Sequence, residues 1–178
     1  MRRFRFRRIS WPTVVWVALL WVLLWGDFSP GNILAGSVIG IVVPALLPLP
    51  RIPYHGTIRP RYLIRLLLRF NADLFKASFQ VAALALNPRR IPQGAVVAVQ
   101  TRSDSDLYLT LTAQITTLVP GSVVVEAIRS NGMLYVHFMD MEITGGVENA
   151  RAGVLATEAR VMRALASAEE MERAGVTR

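Results

Sequence analysis

The sequence predicts a membrane α-helical hairpin, an amphipathic connecting helix and a small C-terminal β-α-β-β-α domain. Three observations carry that fold class. Residues 9–26 and 28–50 hold no charged side chain, and each run reaches the length of a spanning helix. The charge is divided: residues 1–90 hold thirteen basic groups against two acids, a net +11, and residues 91–178 hold seven against ten, a net −3. Beyond residue 94, β-branched runs alternate with Pro-Gly and Asn-Gly turn signals, the pattern of a small domain containing a hairpin. The predicted boundaries are 1–50 for the hairpin and its basic N-terminus, 51–93 for an arginine-rich connector, and 94–178 for the α+β domain.

Each element has a local reason. Met1 to Arg8 reads MRRFRFRR, and no small-residue cleavage site follows the first apolar run, so it reads as a retained anchor rather than a signal peptide. Trp11 and Trp25 lie near the two ends of that run, where indole rings prefer the membrane–water boundary. All four tryptophans do not share one stripe, which argues against a ligand cage. The turn GDFSPGN carries one acid and no basic residue. In the second run Gly36 and Gly40 are four apart, a spacing that lets another helix approach closely. Pro44, Pro48 and Pro50 then bend and end it, and Arg51, Arg59 and Arg61 follow. Basic flanks outside both runs predict a hairpin with both ends in the cytoplasm of a multi-pass plasma-membrane protein.

The segment RPRYLIRLLLRFNADLFKASFQVAALAL places Arg61, Arg65 and Arg69 on one stripe. Its longest uncharged stretch, residues 77–88, is too short to cross a bilayer alone. The preferred reading is a helix lying at the cytoplasmic interface, arginines toward headgroups and leucines in lipid. A third span would need partner subunits to neutralise its charges. After the linker NPRRIPQG, residues 95–101 read as a strand and 106–118 as a helix capped by Ser103 or Asp104. Pro120-Gly121 suits a type II turn, launching a strand over 122–128. Asn131-Gly132 suits a two-residue hairpin turn, returning over 133–139 with Glu126 opposite His137. Residues 147–173 read as one alanine-rich helix, with Glu169 and Arg173 spaced for an i,i+4 pair.

Composition excludes more than it selects. With no cysteine, disulfides, thiolate metal sites and a cysteine nucleophile are out. No phosphate loop, paired metal ligands or nucleophile motif is present, so no cofactor, metal, catalytic residue or small-molecule substrate is expected of this chain alone. The positive charge surrounds the apolar runs instead of the folded tail, which argues against nucleic acid. The possible polar pair Glu126 and His137 reads first as a cross-strand contact, and second as a proton-holding pair. The uncharged runs offer no ion path of their own.

The stretches WVALLWVLLWGDFSPGNILAGSVIG and ITTLVPGSVVVEAIRSNGMLYVHFMD together resemble the E-type subunit of the multisubunit Mrp-type cation/proton antiporters. The matching motif positions are Thr117, Pro120, Gly121, Ser122, Val136, His137 and Asp140. Val119 departs from the pattern, since many relatives have threonine before the proline. The resemblance implies an accessory, non-enzymatic component of a complex that exchanges cytoplasmic sodium for external protons. Its partners would be the bilayer and the larger subunits that conduct protons. A free-standing membrane adaptor that recruits a soluble partner through its tail is the alternative, and partner identification separates the two.

Overall fold

Pro30 and Gly26 set the first structural boundary. The computed structural model describes residues 11–46, 54, 56–87 and 89–177. The basic stretch Met1–Ser10, Pro48, Pro50, Arg51 and His55 lie outside the described residues. The chain divides into two compact units, Met1–Pro53 and Tyr54–Arg178.

In the first unit α1 (Trp11–Trp25) and α2 (Pro30–Leu46) pack together. Gly26 ends α1 with φ 67°, its amide donating to Val22 O at 2.9 Å. Pro30 opens α2, where a missing amide costs nothing. In the turn between them Ser29 donates to Asp27 through its hydroxyl at 2.7 Å and its amide at 2.9 Å. Those two bonds hold the Asp27 carboxyl below its usual range. Asn32 accepts from the Trp21 indole at 2.9 Å and donates to Asp27 O at 2.6 Å, joining the turn to both helices. Pro44 lies inside α2, which runs on to Leu46.

The spanning expectation needs correction here. Among the described residues no helix is long and apolar enough to cross a membrane. The 15 residues of α1 and 17 of α2 give about 22 and 25 Å of helix at the standard rise, against a hydrocarbon core of about 30 Å. The uncharged runs are longer than these helices because they also include the turn residues Gly26, Phe28 and Ser29 and residues 9–10 and 47–50, which lie outside the described residues.

The second unit contains α3 (Pro60–Ala85), β1 (Ala95–Gln100), α4 (Asp106–Leu118), β2 (Ser122–Ile128), β3 (Met133–Phe138), α5 (Met141–Thr144), α6 (Val147–Leu165) and α7 (Ala168–Arg173). The antiparallel sheet has the order β1-β3-β2. Val97, Val99, Leu134, Val136 and Phe138 form its inner face and pack on Leu109 of α4 and Ala150 and Val154 of α6. A second cluster joins Leu66 of α3 to Tyr108, Val161, Met162 and Met171.

Four other expectations change. The connector is not separate from the tail, because α3 buries Leu66, Ala77 and Leu84 within the second unit and its N-cap residue Arg59 bonds to Ala164 O at 2.9 Å. The N-cap of α4 is Ser105, with no side-chain cap bond; Ser103 instead accepts from the Ser105 amide at 3.1 Å. The predicted helix 147–173 breaks at Ala166, and Ser167 starts α7 with a capping box to Glu170. The hairpin loop has four residues, 129–132, with Gly132 at φ 66°.

Candidate functional site

The motif residues meet at one corner. α4 ends at Leu118, and the Pro120-Gly121 turn reverses the chain with Gly121 at φ 91°, which only glycine adopts without strain. The Ser122 amide closes that turn on Val119 O at 3.4 Å, and its hydroxyl donates to Thr116 O at 2.8 Å. Thr117 accepts from the Val124 amide at 3.1 Å, so a side chain satisfies part of the free edge of β2. The Met139 amide donates to Gly121 O at 2.9 Å, tying the corner to the end of β3. Asp140 is buried and caps α5, accepting from Glu142 and Ile143 amides at 2.8 and 3.2 Å. Arg90 reaches Asp140 at 3.2 Å and Glu142 at 2.9 Å. Val136 is fully buried in the sheet core. Val81 of α3 packs over the Gly121 position.

Glu126 and His137 do not face each other. Glu126 is opposite Tyr135, and His137 lies between Val96 and Val123. Two physical causes move them apart. A four-residue loop displaces the register of a two-residue turn, and the bulge at Val125 then shifts the pairing by one more residue. His137 sits on the outer sheet face and packs on the backbone at Gly94, where an added Cβ would come within 3.0 Å of its ring. Among the described residues no three His, Asp or Glu side chains converge on a metal-sized space. This corner offers no acid–base pair.

Polar chemistry clusters elsewhere. Glu158 of α6 is 1% exposed and accepts from the Arg102 and Ser103 amides at 2.8 and 2.9 Å. Its other oxygen has no hydrogen-bond partner. Tyr108 donates to Glu170 at 2.9 Å. Burial, then the hydrogen bond to Glu170, pushes the Tyr108 hydroxyl well above its usual range. Burial alone would raise Glu170, but bonds from Ser167 and Tyr108, with Arg173 nearby, outweigh it and hold the carboxyl below its ordinary value. Sequence reasoning missed both groups. The Ser167-x-x-Glu170 box was the readable signal, whereas nothing marks Glu158 before the fold is known.

Of the expected interface arginines, Arg61 is exposed, Arg65 lies free of any carboxylate among the described residues, and Arg69 pairs with Asp73 at 3.2 Å. Asp73 also reaches Arg160 of α6 at 3.2 Å. On α3 the exposed Ile64, Leu68, Phe75 and Phe79 fall within about 60° of one another at the helical period, and the exposed C-cap residue Leu86 follows them. Outward and domain-facing apolar stripes therefore share one helix. In the first unit Trp11 and Trp25 are exposed at the two ends of α1. Gly36 and Gly40 face α1 of the same chain: a Cβ on Gly36 would meet Trp21 Cβ at 3.0 Å, and one on Gly40 would meet Val14 O at 2.9 Å.

Comparisons with known proteins agree with one another. Residues 14–164 match a family described as Na+/H+ ion antiporter subunit. A Staphylococcus epidermidis Na(+)/H(+) antiporter subunit of the E1 type is 27% identical over 114 residues, covering 64% of this chain and 72% of that one. An Alkalihalophilus pseudofirmus Na(+)/H(+) antiporter subunit of the E type is 30% identical over 112 residues, covering 62% and 70%. A chain from the membrane-bound sulfane sulfur reductase, an archaeal respiratory membrane complex, superposes with TM-score 0.61 at 19% identity. That likeness covers 85% of this chain and 96% of that one, and it speaks for the fold.

Proposed function

The chain belongs to the Na+/H+ ion antiporter subunit family, and from that membership we propose that it is the accessory, structural E-type subunit of a multisubunit Na+/H+ antiporter. Its relatives are antiporter subunits, which leaves a free-standing adaptor without support. Sodium–proton exchange is the activity of the assembly, and this chain supports its construction. A non-enzymatic role accords with that placement.

One observation carries the reading. The hairpin turns its large apolar side chains outward: Trp11, Leu24, Leu34 and Leu46 are 76, 84, 66 and 74% exposed, while Val14, Val22, Gly36 and Gly40 fill the seam. A surface of that kind is stable only against lipid or partner helices. Its helices hold no ionisable side chain, so protons and cations take another route. Helices this short fit where larger subunits or local thinning of the bilayer accommodate them. The basic flanks favour a cytoplasmic N-terminus and C-terminal unit, with the Asp27 turn outside. α3 then lies along the cytoplasmic face, its outward stripe in lipid.

Purification of the full chain through a C-terminal tag in mild detergent tests this, with mass spectrometry of what accompanies it. Several large polytopic antiporter subunits in fixed proportion are expected; the chain alone would overturn the reading. Because the sequence has no cysteine, single cysteines at Asp27 and Thr177 report sidedness directly. Labelling of both from the same side would overturn the proposed orientation.

A further inference from the structure

We propose that the cleft between α3 and α6 is a headgroup site for an anionic phospholipid. The cleft has a volume of about 990 Å³ and is lined by Arg65, Arg69, Arg102, Arg160 and Arg163, with Leu68 at its wall. Few protein groups answer that charge. Asp73 is shared between Arg69 and Arg160 at 3.2 Å each. Glu158 is the other nearby carboxylate, and one of its oxygens is taken by the Arg102 and Ser103 amides. Of the five guanidiniums, only those of Arg69 and Arg160 pair with a carboxylate among the described residues, and it is the one Asp73. Arg163 uses Nε on Thr177 O at 2.9 Å, and Arg160 uses Nε on Ala156 O at 3.1 Å. Among the described residues, Arg65 and Arg102 have no side-chain hydrogen bond or ion pair at all.

Two of these pairs, Arg65–Arg69 and Arg160–Arg163, bring like charges onto neighbouring helical turns, which is unfavourable in an isolated helix. A bound phosphate removes that repulsion and matches guanidinium geometry, with parallel N–H groups donating to two oxygens. Buried Glu158 acts as a positioning residue, because it fixes the Arg102 backbone and so one wall of the cleft.

The apolar surroundings select a lipid over a soluble phosphate. Leu68 belongs both to the cleft wall and to the outward stripe of Ile64, Phe75 and Phe79. A headgroup in the cleft can therefore lay its acyl chains along α3 without a break between the polar and apolar surfaces. The two basic walls come from different helices, which distinguishes this site from a general attraction of α3 to headgroups. The inference rests on the membrane-subunit reading only in requiring a bilayer within reach.

The test uses the full chain in detergent, titrated with phosphatidylglycerol, phosphatidylcholine or inorganic phosphate and followed by native mass spectrometry. Phosphatidylglycerol is expected to bind in preference to phosphatidylcholine. Each guanidinium removed should weaken it roughly fivefold, and Arg65→Gln with Arg102→Gln about 30-fold. Arg129→Gln, outside the cleft, should leave it unchanged. Both cleft residues are exposed, so these variants are expected to fold, and hydrogen exchange across β3 checks that they do. Undiminished phosphatidylglycerol binding by the double variant would overturn the site, placing the lipid around the hairpin. Displacement by inorganic phosphate at matching concentration would overturn the lipid in favour of a soluble anion. Failure of phosphatidylglycerol to bind, with Arg65 and Arg102 shielded from guanidinium-modifying reagent in the assembled complex, would replace it with an acidic segment of a neighbouring protein. Lost lipid selectivity with intact co-purification would sink this proposal alone; the reverse pattern would sink only the antiporter reading.

Discussion

The hairpin and the C-terminal unit place their apolar side chains in opposite ways. In the hairpin, Trp11, Trp16, Trp25 and the leucines point outward, and Gly36 and Gly40 of α2 make the contact with Trp21 and Val14 of α1. In the C-terminal unit, Leu134, Val136 and Met162 are fully buried, while α6 turns Glu148, Arg151 and Ala152 outward. The difference follows from the solvent each arrangement suits. In water, burial of large apolar groups drives packing. In lipid that drive is absent, and close approach of backbones at small residues takes over. The aromatic residues divide the same way: all four tryptophans lie in the hairpin, and all four tyrosines, Tyr54, Tyr62, Tyr108 and Tyr135, lie in the other unit. Tryptophan emission therefore reports on one half alone.

The largest expected effect belongs to the core built for water. Leu134→Ala removes a fully buried side chain from the central strand and should cost about 3 kcal/mol, lowering the melting temperature by about 10 °C. Hydrogen exchange in the sheet should rise while tryptophan emission stays constant. A matching change in emission would show that the two halves are not independent.

The converse variant is Gly40→Leu. An added Cβ would already meet the Val14 carbonyl at 2.9 Å, and backbone cannot move aside as a flexible side chain can. Overpacking there should cost about 2 kcal/mol, shift tryptophan emission and reduce incorporation into the antiporter complex. Melting of the C-terminal unit should not change. Normal incorporation would remove the seam from the features the complex needs.

How much of this contrast is legible in the sequence depends on how local the cause is. Gly121 and Gly132 can be read because positive φ is a property of a few adjacent residues. Strand register cannot, since Arg129 and Ser130 carry no signal that separates loop from strand and no residue type marks the bulge at Val125. α3 defeats periodicity for a different reason. Its apolar positions serve two surfaces, with Leu66, Ala77 and Leu84 facing the domain and Ile64, Phe75 and Phe79 facing outward. The cleft arginines are separated by many residues, Arg65 on α3 and Arg160 on α6, so only the fold brings them together.

A smaller effect is expected at the motif corner. Asp140→Ala removes the cap of α5 and leaves Arg90 with Glu142 alone, a loss of about 1–2 kcal/mol. Thermal melting of the full chain measures it. No change would mean that the corner is set by Gly121 and the sheet without help from the cap.

Titration separates the halves again. Glu170 is held below its ordinary value, so its contribution is present above the unfolded carboxylate range and is lost as pH falls through the folded pKa. Tyr108 is raised, so its contribution is complete below the ordinary tyrosine range near 10 and declines as pH rises beyond it. The C-terminal unit should therefore lose stability at both acid and alkaline extremes. The hairpin helices hold no titratable side chain, and their turn holds Asp27, itself held below its usual range. Tryptophan emission should therefore stay flat through the alkaline limb and respond only in acid, as pH falls through the folded pKa of Asp27. Tyr108→Phe should remove the alkaline decline and soften the acid one by about 1 kcal/mol or less. An unchanged alkaline limb in that variant would assign the loss to another group.

A comparably small effect has the opposite sign and tests how strictly the second unit obeys the rules of a water-built core. Thr112 is fully buried in α4, and its hydroxyl has no hydrogen-bond partner. Replacing it with valine keeps the branched shape and removes a desolvated polar group, a gain of about 1 kcal/mol. At Ser37 in the hairpin the hydroxyl already donates to Ile33 O at 2.8 Å. Ser37→Ala should therefore bring no such gain. If Thr112→Val destabilises instead, its hydroxyl is satisfied when the protein is assembled, and α4 carries a polar contact that the packing of this chain alone does not require.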